Sequence, residues 1–280
     1  MLAAALVWAA SGACAQMALT ISGDGVVGSA AGKPVFEYAN AKAPFKPYVK
    51  TLCTPSGVQI LRDAPHDHLH HHALMYAIGV NGTTLWEETD KGGYEIPVSL
   101  DIIPAPPAAD FEAVAFSSTL EWRSHDKKTL FANEKRDIAL IGAKDLGATM
   151  LVWRTRATLP EGVPEITLTG AHYYGLGMRF IESMDDGKFL NATGADGEIV
   201  RGDERNFQAA WCAFESVADG KPVTAAMFDS PGNTRPATWF TMGEASPAFS
   251  YLAATLHLYK EPLTLKQGEQ LDVTYAVVLW

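Results

Sequence analysis

The chain is poor in cysteine and in positive charge, and it has one apolar run of any length; each scarcity removes a class of function. Lysine and arginine number 22 against 32 acidic residues, a net charge of −10. With no basic run, nothing supports a nucleic-acid partner. Beyond the first segment no stretch reaches the about 18 apolar residues a membrane helix needs, so no transmembrane segment is expected. Helical periodicity beyond about two turns is missing as well. There is no G-x-S-x-G elbow, no P-loop, no H-E-x-x-H and no EF-hand loop. Gly175-Leu176-Gly177 starts like a dinucleotide fingerprint. The third glycine and the βαβ context are missing, so no nucleotide cofactor is expected.

The one apolar run, residues 1–16, is alanine-rich and ends in Ala13-Cys14-Ala15. That is an A-x-A cleavage pattern, although a basic n-region is lacking. The expectation is a signal peptide over 1–15, one β-sandwich domain over 16–280, and a secreted or periplasmic protein. A second reading lipidates Cys14, with Ser11-Gly12-Ala13 a poor lead-in. Cys53 and Cys212 then either pair in an oxidising compartment or remain buried thiols.

What is present reads as strand. Short apolar or alternating runs occur at 18–21, 34–38, 45–52, 74–80, 113–122, 130–141, 148–158, 165–173, 211–215, 224–229, 238–242, 249–253 and 270–279. Pro47 puts 45–52 on an edge or in a loop. Residues 208–214 fit a short helix as well as a strand. Gly23-Asp24-Gly25 and Asn81-Gly82 are turn signals, and Pro104–Pro107 is a proline-rich turn. Many short strands between glycine- and proline-rich turns predict an all-β fold: a large two-sheet β-sandwich.

Chemistry concentrates in Asp67-His68-Leu69-His70-His71-His72. Five of the eight histidines fall within seven residues. Neutral imidazole is a common metal ligand and titrates near working pH. On a strand His66, His68, His70 and His72 would share a face; on a helix His68 and His72 would be neighbours. Asp67 could ligate too, or fix a tautomer. The expected cofactor is a divalent metal ion on His68, His70, His71 and His72. Glu87 and Glu88 come close if a hairpin forms at Asn81-Gly82; a solvated turn face is the plainer alternative. Glu121, Arg123, Glu134 and Arg136 suit cross-strand ion pairs. Arg179, after a glycine-rich bend, can donate to hydroxyls or a carboxylate. In the loop 228–240, Asp229, Asn233 and Arg235 offer polar groups beside Trp239, a stacking face suited to a carbohydrate.

These motifs resemble a bacterial family labelled "methane oxygenase PmoA-like", now treated as a domain of unknown function. Asp67–His72 matches its D-H-x-H-H-R segment, and Val80-Asn81-Gly82 with Leu85-Trp86-Glu87-Glu88 its N-G…F-W-x-E element. Glu134 with Arg136, Gly175–Arg179, Asp229–Asn233 and Leu271–Tyr275 follow in order, over about residues 45–280. His72 stands where the family has arginine, which puts an anion-binding role there in doubt. The resemblance implies a secreted sandwich similar to the galactose-mutarotase supersandwich, from bacteria that degrade glycans. Three functions follow. The first is a glycoside hydrolase or lyase with His68, His71 and Glu88 at the catalytic centre and Arg179 and Asn233 orienting a carbohydrate or other small-molecule substrate. The second is a non-catalytic glycan-binding protein. The third is a copper redox protein.

Overall fold

The computed structural model describes residues 17–22, 24–41, 43–105, 111–143, 146–243 and 249–280. The expected signal peptide with Cys14, Gly23 of the first turn and the second half of the proline-rich turn lie outside these. Among the described residues there is no α-helix. The strands are β1 (Met17–Ser22), β2 (Gly25–Ala30), β3 (Lys33–Ala39), β4 (Tyr48–Leu52), β5 (Leu74–Ala77), β6 (Gly79–Val80), β7 (Thr83–Thr84) and β8 (Tyr94–Ile103). They continue as β9 (Glu112–Arg123), β10 (Leu130–Ala143), β11 (Ala148–Thr158), β12 (Glu165–Thr169), β13 (Gly175–Arg179), β14 (Lys188–Asn191) and β15 (Glu198–Arg201). The remainder are β16 (Glu204–Gln208), β17 (Trp211–Ala218), β18 (Lys221–Asp229), β19 (Thr238–Met242), β20 (Tyr251–Thr255), β21 (Leu263–Lys266) and β22 (Gln270–Leu279).

Two large sheets form a sandwich. One has ten strands, in the order β1-β2-β3-β4-β5-β13-β20-β19-β16-β15; the other has eight, β14-β17-β18-β22-β11-β10-β9-β8. A third sheet, absent from the two-sheet expectation, has the order β21-β12-β6-β7. Period-two patterning builds the interior. In β11, Leu151, Trp153, Thr155 and Ala157 are buried while the residues between them are half-buried. In β22, Leu271, Val273, Tyr275 and Val277 do the same beside them. The facing sheet meets this layer through Tyr38, whose ring is 5.1 Å from Phe116 and 6.5 Å from Trp153. Each such side chain contributes about 1.5–3 kcal/mol by leaving water.

The middle of the ten-stranded sheet differs. Every residue of β5, β13 and β20 is buried, because both faces are covered. Residues 175–179, read from sequence as a bend, are a central strand. The glycines are required there: a Cβ on Gly177 would lie 1.8 Å from the Tyr251 hydroxyl. The run 74–80 breaks at Ile78 because the chain passes from the ten-stranded sheet to the four-stranded one. β12 ends at Thr169, earlier than expected, and a turn closed by the Tyr174 N–H on the Ala171 carbonyl follows (3.2 Å). Pro47 lies in a loop ahead of β4, and β4 is internal, so the edge alternative fails. Residues 211–218 are strand, not helix. Cys53 and Cys212 are free and buried.

The charged quartet pairs along strands as well as between them, since residues i and i+2 share a face. Arg123 Nε donates to Glu121 at 2.6 Å. Arg136, fully buried, donates to Glu134 at 2.8 Å and reaches Glu95 at 2.7 Å. The Trp122 indole and the Thr155 hydroxyl also donate to Glu134, at 2.7 and 2.9 Å. Burial lifts Glu95 to about 7 against the pull of Arg136. Arg136→Met would strand both carboxylates, costing about 3–5 kcal/mol. Denaturant melts should show a larger loss at pH 8 than at pH 5, where the orphaned carboxyls take up protons; an equal loss at both would contradict this account.

Candidate functional site

The site stands on the outer face of the ten-stranded sheet. Register pairs Arg179 with Tyr251, Tyr251 with Met242, and Asn206 with Phe240. Paired residues share a face, so Gly177, Arg179, Tyr251, Met242, Phe240, Asn206 and Glu204 form one surface. The histidine segment is neither strand nor helix but a closed loop laid on this surface. An Asp63–His72 bridge joins its stems, and the Ala64 N–H donates to the His71 carbonyl at 2.9 Å. Two turns follow inside, His68 N–H to Pro65 O and His71 N–H to His68 O, both 2.9 Å. Alanines at both stems, Ala64 and Ala73, are held at φ 42° and 40°, a conformation costly for L-residues. The Arg179 backbone fastens both stems: its carbonyl accepts from Arg62 N–H (2.9 Å) and its N–H donates to Ala73 O (2.8 Å).

The second wall begins at Asn81-Gly82, whose positive φ values of 48° and 79° suit the tight turn between β6 and β7. Beyond it, the Thr84 hydroxyl accepts the N–H groups of Trp86 and Glu87, both at 3.1 Å. This fixes a bend that turns the Trp86 ring inward, stacked on Tyr174 at 5.1 Å. Adjacent side chains then diverge, Glu87 facing the cavity and Glu88 facing away from it.

The turns separate the histidines. His66 is exposed, while His68, His70 and His71 pack ring against ring, with centroids 4.6–5.9 Å apart. His72 points elsewhere. Its Nδ1 meets Asp63 at 2.9 Å, its Nε2 meets Glu88 at 2.9 Å, and Tyr48 stacks on it at 4.4 Å. The buried Lys46 ammonium also binds Glu88, at 2.7 Å. Burial would push the His72 imidazole down, but the two carboxylates prevail and hold it above its ordinary value. Glu88 is held low against its own burial, by His72 and Lys46. Both ring nitrogens are thus committed, which takes His72 out of the metal set and Glu88 out of the catalytic set. At the position of the arginine-to-histidine departure, the imidazole lies between two carboxylates.

His71 has the opposite fate. Burial, with help from His70, His68 and Arg179, lowers it to about 2. It stays neutral, packed 5.6 Å from Tyr251, and its Nδ1 faces Arg179 at 3.5 Å, so it is no proton carrier near neutral pH. Arg179 is itself buried, 3.4 Å from Asp67, with its guanidinium 3.3 Å from the centre of the Phe249 ring. It supports the loop and is withheld from substrate. Burial opposes ionisation of Asp67, yet the His68 hydrogen bond and Arg179 bring it down to about 2. Asp67 accepts from His68 Nδ1 at 2.9 Å.

A cavity of about 250 Å³ opens here, lined by His68, His70, His71, Glu87, Arg201, Glu204 and an aromatic wall of Trp86, Tyr173, Phe240, Phe249 and Tyr251. Asp229, Asn233, Arg235 and Trp239 are not among its lining residues. Asn233 donates to Asp229 (2.7 Å) and accepts from Thr274 N–H (2.6 Å), and Arg235 caps the carbonyls of Leu256 and Glu261. Trp239 is buried with its N–H on Ala209 O (2.8 Å), leaving no stacking face. These four close a loop onto its own backbone, which corrects the substrate-binding expectation. Glu204, paired with His172 at 2.9 Å and with Arg201, and Tyr173, whose hydroxyl is 3.5 Å from Glu87, carry no local sequence signal. Among the described residues no group of three or more His, Cys, Asp or Glu side chains is placed to hold a metal.

The His72 network should shape stability with pH. A raised imidazole stabilises fully below its unbound value of 6.5 and less as pH rises; a lowered carboxylate stabilises fully above 4.5 and less as pH falls. His72→Gln should therefore cost most, about 2 kcal/mol, between those values. Thermal melts across pH 4 to 9 check this; a constant penalty would contradict it.

A search of curated proteins finds no match. Solved structures match at low similarity. The galactosidase domain of an α-galactosidase–sucrose kinase is 9% identical, with a TM-score of 0.47, over 99% of this chain and 42% of that one. An α-galactosidase from Geobacillus stearothermophilus in complex with raffinose is 9% identical at a TM-score of 0.44, over 98% and 40%. One from Lactobacillus brevis is 7% identical at 0.45, over 99% and 39%. The chain spans about two fifths of the length of these proteins, and nothing about activity transfers at such similarity. A family model matches residues 26–280, and the chain belongs to that family, DUF6807, a family of unknown function.

Proposed function

We propose that the chain binds a carbohydrate ring in the His68–Glu87 cavity and acts on it as a hydrolase or lyase, with His68 moving the proton. The observation that carries this is the Asp67–His68 pair at the edge of an aromatic-walled cavity. A firmly ionised Asp67 takes the proton on Nδ1 as its hydrogen bond. That leaves Nε2 as the ring's free base, the arrangement that general acid–base catalysis needs. At about 250 Å³ the space is below the roughly 300–1,000 Å³ of drug-sized sites, which suits a single ring. Aromatic faces match the apolar faces of a sugar, and imidazole, carboxylate and guanidinium groups match its hydroxyls. The secreted or periplasmic setting belongs to the same reading. Of the four histidines expected to hold a divalent ion, His68 and His70 line the cavity near Glu87, and a chelator arm in the assay reads whether an ion is needed.

A non-catalytic glycan-binding role is the second reading, favoured by the number of aromatic rings on one wall. A panel of oligosaccharides, assayed for binding and for product, separates the two. His68→Gln and Asp67→Asn should each cut turnover about 10²–10⁴-fold while binding persists. Binding without turnover, unchanged by either substitution, would establish the second reading. No binding at all would overturn both.

A further inference from the structure

Around this cavity four carboxylates behave unequally. Glu88 has Lys46 and His72, Asp67 has Arg179 and His68, and Glu204 has Arg201 and His172. Glu87 has no lysine or arginine within ion-pair range among the described residues. Its contacts are the hydroxyls of Tyr173, at 3.5 Å, and Tyr174, and His70 Nε2 at 3.7 Å. The His70 ring lies beyond hydrogen-bond distance of the carboxylate. The Glu87 side chain is 30% exposed and lines the cavity rather than the outer surface. The flanking rings are Trp86 and Tyr173, 5.4 Å apart and steeply inclined. A carboxylate without a fixed cation, in a cavity lined by aromatic rings, is suited to select a cation through a charge-assisted hydrogen bond, with ring contacts adding to it.

Resting on the carbohydrate reading, we infer that the ring this cavity takes carries a free ammonium group, with Glu87 as its counter-ion and Trp86 and Tyr173 beside it: the substrate class is an amino sugar. The ammonium gives Glu87 the cation the fold withholds. A uronate in the same place would set two carboxylates against each other, and a neutral hexose would leave Glu87 solvated as it is now. Nothing in this assignment draws on Asp67 or His68, so recognition by Glu87 and proton transfer by His68 are separate tasks on separate walls.

Titration calorimetry at low salt tests it, with each of glucosamine, galactosamine and mannosamine set against its parent hexose and its uronic acid. At least one amine should bind about tenfold or more tighter than its hexose, the uronate weakest. Glu87→Gln, which keeps the shape and removes the charge, should abolish that preference by bringing the amine's affinity down to that of its hexose in the same variant. Equal affinity of amine and hexose in the native protein, or a preference that survives Glu87→Gln, would overturn the ammonium assignment while the carbohydrate reading stands. Binding of none of the nine would overturn both.

Discussion

One residue joins the sheet to the chemistry laid upon it. The backbone of Arg179 belongs to a central strand and hydrogen-bonds both stems of the histidine loop; its side chain reaches up to Asp67 and His71 within that loop. A guanidinium is suited to this because it stays charged even where burial lowers its affinity for protons, as here. Its plane lies on Phe249, so part of the lost hydration is made good by an aromatic face. That one cation fixes the position of the loop, and it adds to the His68 hydrogen bond in lowering Asp67 and to burial in lowering His71.

Adjacent imidazoles illustrate how completely surroundings set protonation. His71 and His72 are both buried, yet one is pushed well below the ordinary imidazole value and the other is held above it. The difference is the company each keeps: a cation and two other imidazoles in the first case, two carboxylates in the second. The backbone turn between them therefore separates a polar lining for the cavity from an ion network that braces it from behind.

Much of the scaffold was legible as alternation. The strands at 148–158 and 270–279 have the bounds the pattern predicted, because alternate residues along most of their length are core; 238–242 has its predicted bounds too, though it is buried on both faces. The central strand at 175–179 escaped, since glycine weakens a strand signal and here serves the close approach of Tyr251. In the site, the density of histidines marked the right loop but could not show which ring faces which way; that depends on two turns whose hydrogen bonds cross the segment. The loop at 229–235 was misread because a polar loop beside an aromatic looks alike whether it grips a ligand or its own backbone. Glu204 and Arg201 reach the cavity through sheet register, and Tyr173 through the turn between β12 and β13, which no local stretch encodes.

The β15–β16 hairpin brings Arg201 and Glu204 from the free margin of the ten-stranded sheet, while the histidine loop is moored at its middle. A margin can lengthen, shorten or change its side chains without disturbing the strands further in. Descendants of this architecture can therefore retune what enters the cavity by remodelling one hairpin, and inherit the Asp67–His68 pair unaltered.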